Sequence, residues 1–232
     1  MFEEYKNKIE LHCHSSGVSM CSDIPAPDMI RYYREEKYQG LVITNHFYPW
    51  FPKNQKAYEK YVEDYIEEYH FLKEIGEGVG IKVYLGMEIR FYENENDYLL
   101  YGIDENFVRA IPRDCKTLEA FIPFVRQYQD VILIQAHPFR NGMILKDSEL
   151  LDGIEVYNLH PNHNSRVGLA AKYAEMEDFK ICTCGTDFHH IGQHGLTALL
   201  TKELPENERE LVECIKNEQV YKAGKSIVVF ES

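Results

Sequence analysis

Short apolar runs of β type alternate with longer amphipathic stretches along the chain, and no other feature limits its fold as strongly. The β-type runs read "KIELHC", "LVITNH", "IKVYLGMEIRF", "DYLLYGI", "VILIQAH", "GIEVYN", "KICTCGTD", "LTALLT" and "SIVVFE". Between them the spacing predicts a helix in "APDMIRYYREEKYQG", closed by Gly40, and a long charged, Tyr-rich one over about 53–75. Further helices are expected in "LEAFIPFVRQY", with Pro123 marking a kink or an early helix position, in "NSRVGLAAKYAEM" and in "ENERELVECIKN". Strands alternating with helices argue for βα units and a mostly parallel sheet. Seven or more such units make a closed or nearly closed barrel the natural architecture. No Pro/Gly/Ser-rich linker divides the 232 residues, so one α/β domain over 1–232 is expected.

The short runs also carry reactive residues at one end. His12 and His14 end the first, His46 the second, and Glu88 lies late in the third. His137 ends "VILIQAH", and Asp187 and His189 end "CGTDFH"; His163 follows "GIEVYN" by a few residues. A lone HxH is an ordinary strand end with two exposed imidazoles. In a parallel barrel, however, all C-terminal strand ends share one face. Six histidines and two carboxylates recurring there are hard to explain by packing, and they predict a site for more than one metal ion. Imidazole and carboxylate ligands suit Zn²⁺, Fe or Mn²⁺, and the sequence does not choose among them. Strand alternation turns Cys13 away from its flanking histidines.

Charge and composition narrow the partners. The net charge of −13 repels a long polyanion such as duplex DNA, while bound cations would offset part of it. No run reaches the roughly 18–20 apolar residues that span a bilayer. "MFEEYKNKIE" lacks the regions of a signal peptide, so cytoplasmic residence is the expectation. The six cysteines form no small-scaffold framework and are expected reduced, with Cys182 and Cys184 structural in a buried strand.

In order, "HCH", "TNH", "GMEIRF", "AHPFR", "EVYNLHPNHNSR" and "GTDFHH" resemble the PHP (polymerase and histidinol phosphatase) family over most of the chain. The resemblance implies a distorted (β/α)7 TIM-like barrel with a trinuclear metal centre that hydrolyses phosphomonoesters or phosphodiesters. It implies that His12, His14 and Asp187 hold a first metal and that Glu88 bridges to a second. His137 and His163 would complete the second, His163 matching the family spacing better than His160, and His46 and His189 would hold a third. Two positions depart from the pattern. Met20 stands where many trinuclear members have a further histidine, and a thioether is a poor ligand for a hard cation. Cys21 or Asp23 could substitute, or be a buried thiol and a turn acid. Asn45 in "TNH" replaces the usual aspartate and can act only through hydrogen bonds.

A phosphate ester needs cationic partners besides the metals. Arg140 in "HPFR" and Arg166 in "HNSR" are the first candidates, with Arg90 in "GMEIRF" behind them, because guanidinium donors match phosphate oxygens in pairs. His190 and His194 read as loop residues that could protonate a leaving group, and His70 as a solvated or packed one. Tyr48, Trp50 and Phe51 could stack on a ring substrate or pack a lid. Tyr58, Tyr61, Tyr65 and Tyr69 recur at helical spacing and are read as a core stripe. The expected activity is metal-dependent phosphoester hydrolysis by a metal-bridging hydroxide, with a small phosphomonoester as substrate and Glu88, Asp187, Arg140 and Arg166 as the catalytic set. A phosphodiesterase or 3′–5′ exonuclease on short nucleotides, a degenerate metal-binding module and an amidohydrolase-type barrel are the competing expectations.

Overall fold

A computed structural model describes residues 3–230. Met1 and Phe2, part of the segment read for a leader, and Glu231 of the closing run lie outside the described residues. The strands are β1 (Asn7–Cys13), β2 (Gly40–Ile43), β3 (His46–Phe47), β4 (Lys82–Leu85), β5 (Met87–Arg90), β6 (Asp97–Tyr101), β7 (Ile132–Gln135), β8 (Gly153–Asn158), β9 (Ile181–Gly185), β10 (Thr197–Thr201), β11 (Val220–Ala223) and β12 (Ser226–Val229). The α-helices are α1 (Ala26–Glu35), α2 (Gln55–Val79), α3 (Glu105–Ala110), α4 (Leu118–Val125), α5 (Val167–Met176) and α6 (Glu208–Asn217).

Helix boundaries follow local chemistry. The Asn54 side chain accepts from Ala57 N at 2.9 Å to start α2, and Gly80 ends it at φ 79°, a left-handed conformation that suits glycine. Thr117 and Asn207 cap α4 and α6 in the same way. Pro123 sits inside α4, not at its start.

The ladders form two six-stranded sheets, ordered β12-β11-β10-β1-β2-β4 and β3-β5-β6-β7-β8-β9. Half of the pairings differ from the mostly parallel expectation: β6 runs antiparallel to both β5 and β7, and β10, β11 and β12 add antiparallel neighbours beside β1. For β5 and β6 the physical reason is connection length, since only the short "FYENEN" segment joins them, too little chain for a crossover.

Both sheets share one interior. Ile9, Leu11, Val42, Tyr84, Leu99, Tyr101, Ile134 and Leu199, drawn from six strands of the two sheets, form one buried cluster. Their neighbours Cys13, Leu41, Ile43, Val83, Leu85 and Leu100 pack on the helix side with Met29, Tyr33 and Leu72. Strands buried on both faces explain why the sequence shows near-continuous apolar runs. Where β1 meets β9, Asp187 N donates to His12 O at 2.8 Å and His14 N donates to Phe188 O at 3.0 Å.

Two breaks place the reactive residues. Thr44 and Asn45 separate β2 from β3, and Gly86 separates β4 from β5. A Cβ on Gly86 would come within 2.6 Å of Val42 Cγ1, so the break requires glycine. The Tyr65 hydroxyl of α2 lies 3.0 Å from Asn45 O and 2.8 Å from Gly86 O, between the carbonyls of the two breaks. Tyr58, Tyr65 and Tyr69 are buried as a stripe, whereas Tyr61 is half-buried and bonds the backbone of Tyr48 and His46. The tyrosine stripe therefore also braces the strand ends.

Candidate metal centre

Glu88 is the hub. It is buried on β5 directly beside His46 of β3 in the parallel register. Its two carboxylate oxygens lie 3.3 Å from His12 Nε2, 3.3 Å from His14 Nε2, 2.9 Å from His46 Nδ1 and 3.1 Å from His137 Nε2. Asp187 closes the opposite side: its Oδ1 is 3.5 Å from both His12 Nε2 and His14 Nε2, and 3.3 Å from His189 Nδ1. His137 and Asp187 adopt φ of 28° and 56° immediately beyond their strands. Such backbone is costly for non-glycine residues and is held by the surroundings, a common property of functional sites.

Three sets of potential ligand atoms lie within 4.8 Å of one another: His12, His14 and Asp187; His14, His46 and His189; His46, Glu88 and Asp97. The His14 ring stacks on those of His189 and His46 at 4.2 and 4.5 Å. His12 Nε2, both ring nitrogens of His14, His46 Nδ1 and Glu88 Oε2 are buried without a hydrogen-bond partner. Unpartnered buried polar atoms of this kind are rare unless something binds them. Convergent imidazole and carboxylate donors suit divalent cations, so the residues present fit the metals that the sequence implies.

Charge within the cluster is divided sharply. Burial pushes the pKa of Glu88 up, but His12 and His46 outweigh it and hold the carboxyl well below its usual range. Asp187 is likewise depressed despite burial, by His12 and by the neighbouring His14, His189 and Arg140. Burial opposes protonation of His12, yet Glu155, Asp187 and Glu88 raise it well above the ordinary value. His189 is raised to about 10 against its burial, by Asp187 and Cys21. His14 goes the other way: burial, His189 and His46 all keep it neutral, with its lone pair free.

A cavity of about 340 Å³ opens onto this cluster and is lined by, among others, Cys21, Arg90, Arg140, His160, His163 and His190. His163, the expected ligand, is exposed, whereas His160 is buried; their rings are 4.5 Å apart and neither belongs to the three ligand sets. Arg140 pairs with Asp187 and donates to Asn158 Oδ1 at 2.9 Å. Arg90 forms a fork to Asp97, 2.6 Å on each side. Arg166 departs from the expectation. It does not line the cavity, and its guanidinium donates to Phe139 O at 2.6 Å and to Asn141, clasping the loop after β7.

The remaining candidates separate cleanly. Asn45 Oδ1 accepts from Ser15 N and the Ser19 hydroxyl at 2.8 and 2.9 Å, a tether consistent with its hydrogen-bonding role. Met20 is 84% exposed and Asp23 pairs with His190. His194 stacks on Tyr32, and His70 pairs with Glu105 at the surface. Tyr48, Trp50 and Phe51 line a groove that meets the metal cavity at Arg90. Cys13 points into the helix-side core, as alternation predicts.

Three carboxylates escaped the sequence reading. Asp97 stands at the start of β6, 3.6 Å from His137 Nε2. Glu155 of β8 is wholly buried with Oε1 2.8 Å from His12 Nδ1. Glu10, also wholly buried, takes hydrogen bonds from His12 N, Thr186 N and the Thr186 and Tyr33 hydroxyls. The available signal was an acid inside an otherwise apolar run, in "KIELHC" and "GIEVYN".

Comparison with known proteins agrees with this geometry. The PHP domain model matches residues 10–222, and the chain belongs to that family. A two-domain protein from Bacteroides vulgatus, containing a predicted PHP-like metal-dependent phosphoesterase, superposes with a TM-score of 0.67 at 15% identity, covering 97% of this chain and 67% of that one. PsfC from Pseudomonas syringae gives 0.61 at 17% identity, with 97% and 91% covered. No curated protein matches in sequence.

Proposed function

We propose that this chain is a metal-dependent phosphoesterase acting on a small phosphomonoester. One observation carries the reading: a single buried carboxylate, Glu88, is faced by four imidazoles whose nitrogens have too few partners of their own. His12, His14 and Asp187 would hold one ion, Glu88 would join it to a second beside His137 with His160 or His163, and His46 and His189 would hold a third. Bound divalent cations supply Lewis acidity, which lowers the pKa of coordinated water and polarises a phosphoryl oxygen.

The chain's own residues do the rest. Arg140 and Arg90 present guanidinium donors at the cavity wall, where they orient phosphate oxygens and stabilise developing charge. The cavity of about 340 Å³ favours a small alcohol, and the charge of −13 disfavours a long polyanion. Short diesters are the nearest rivals, with the groove at Tyr48 and Trp50 able to take a ring. We also read the two sheets as one interrupted barrel and one domain, since both contribute to the same interior. No helix among the described residues is long and apolar enough to cross a membrane. Cytoplasmic residence, with the six cysteines reduced, belongs to the same proposal.

The decisive experiment measures metal content per chain by elemental analysis, with p-nitrophenyl phosphate hydrolysis assayed on the same sample. The reading expects two or three ions and an activity abolished by Asp187→Ala or His137→Ala. A fully loaded protein inactive on phosphomonoesters and diesters alike would reduce it to a non-catalytic metal-binding module.

A further inference from the structure

We propose that Cys21 ligates a metal ion as a thiolate beside His46 and His189, giving the centre one mixed nitrogen–sulfur position. The inference rests on the metal-centre reading and goes beyond it by naming a donor of different chemistry.

The geometry begins with the loop between β1 and α1. The Cys21 side chain lines the metal cavity together with His46 and His189, and lines a second, adjoining cavity with His46. The loop is fixed on both sides of Cys21. The Ser19 hydroxyl donates to Asn45 Oδ1 at 2.9 Å, and Ser22 Oγ lies 2.7 Å from His14 O and 3.2 Å from His189 O. Asp23 N donates to His189 O at 3.2 Å. The loop on either side of Cys21 is therefore held against His14, Asn45 and His189, and only the exposed Cys21 side chain has to be ordered on binding.

A second observation points to a ligand. His14, wholly buried, stacks between His46 and His189 with both ring nitrogens unpartnered, and one nitrogen from each of the three rings falls within 4.8 Å of the others. Three imidazoles brought this close, the middle one with neither nitrogen partnered, are a poor arrangement for packing alone and a good one for a cation. The other donors of the loop are elsewhere: Met20 is largely exposed, and Asp23 is paired with His190. Cys21 is outside the three sets of atoms already within 4.8 Å of one another, and it is the donor of the loop that shares the cavity with His46 and His189.

The chemistry then separates this position from its neighbours. A thiolate is a soft donor and favours Zn²⁺, Fe²⁺ or Co²⁺ over Mn²⁺ or Mg²⁺, while the positions around Glu88 and Asp187 offer only nitrogen and oxygen. The ion between His46, His189 and Cys21 would be selected differently from the other two.

The test uses the full chain loaded with Zn²⁺ and freed of excess, read by elemental analysis and zinc K-edge X-ray absorption. The wild type should show a sulfur shell at about 2.3 Å. Cys21→Ser should lose that shell and about one zinc per chain, while Cys214→Ser keeps both. Zinc bound through nitrogen and oxygen alone in the wild type overturns the inference and leaves the metal centre standing. The same holds if Cys21→Ser retains the full zinc content. Absence of bound zinc in every variant overturns the metal centre as well. The wild-type spectrum decides the question even if Cys21→Ser fails to fold.

Discussion

Glu155 Oε1 lies 2.8 Å from His12 Nδ1, and neither side chain is exposed to solvent. The other oxygen of Glu155 accepts from His137 N at 2.9 Å and from Asn158 Nδ2 at 3.0 Å. One carboxylate therefore orients a ring from β1 and fixes the backbone after β7. With Nδ1–H directed at Glu155, the Nε2 lone pair of His12 faces Glu88 and Asp187, where a cation would sit.

Glu155→Gln should weaken that arrangement without removing any proposed ligand. A glutamine can present its oxygen to His12 or to His137 N, and its amide then opposes a donor at the remaining position. Losing such an orienting partner typically lowers metal affinity about 10–100-fold. Competition against a chromophoric chelator measures it, and an unchanged affinity would remove Glu155 from the centre.

Gly185 makes room for the same pair. A Cβ there would collide with Glu155 Oε1 and come within 2.5 Å of His12 Cβ. Gly185→Ala should destabilise the fold by about 1–3 kcal/mol, the usual cost of overpacking, and weaken metal binding together with it. Urea unfolding of the metal-free and loaded forms separates the two effects. Equal losses in both forms would mean that only the core was disturbed.

Arg140 and Arg166 should part company in kinetics. Arg140 is at the cavity and pairs with Asp187, whereas Arg166 clasps Phe139 O and Asn141 from behind. Arg140→Lys keeps a charge and loses the fork, so KM for the phosphoester should rise several-fold, roughly the 1–2 kcal/mol of a charge-assisted hydrogen bond. Arg166→Ala should act chiefly through stability. Comparable losses of kcat/KM at constant stability would restore Arg166 to the substrate site.

What the sequence disclosed depended on how local the information was. His12, His14, His46, Glu88 and Asp187 sit at strand ends where periodicity alone shows them, and the structure gathers them within a few ångströms. Arg166 looked equivalent to Arg140 because each follows a histidine by three residues, yet a left-handed backbone at Arg166 (φ 45°) starts α5 there and turns the side chain away. Glu155 was hidden because its partner is 143 residues distant and a register shift in β8 sets its direction. Strand direction was equally nonlocal. Nothing in "DYLLYGI" distinguishes an antiparallel strand from a parallel one, and the short connection from β5 decides it.

Metal affinity should rise with pH, because protons and cations compete for the same nitrogens. His189 is the clearest case: in the metal-free fold its pKa moves from 6.5 to about 10, against its burial, through Asp187 and Cys21. A group raised on folding stabilises the fold fully below its unfolded pKa, and that contribution is lost as pH rises through the folded value. The His189–Asp187 pair therefore supports the metal-free protein most below 6.5 and fades towards about 10. Binding an ion to His189 must expel its proton throughout that window. His12, also held protonated, adds to the release, whereas neutral His14 does not. Cys21, lowered to about 6 by His189 and His46 against its burial, is already a thiolate near neutrality and adds little. Calorimetric Zn²⁺ titrations in buffers of different ionisation enthalpy should then report proton release near neutral pH that shrinks as pH approaches about 10. Proton-neutral binding near pH 7 would mean that His12 and His189 are uncharged before the metal arrives, and the charge division around Glu88 and Asp187 would have to be redrawn.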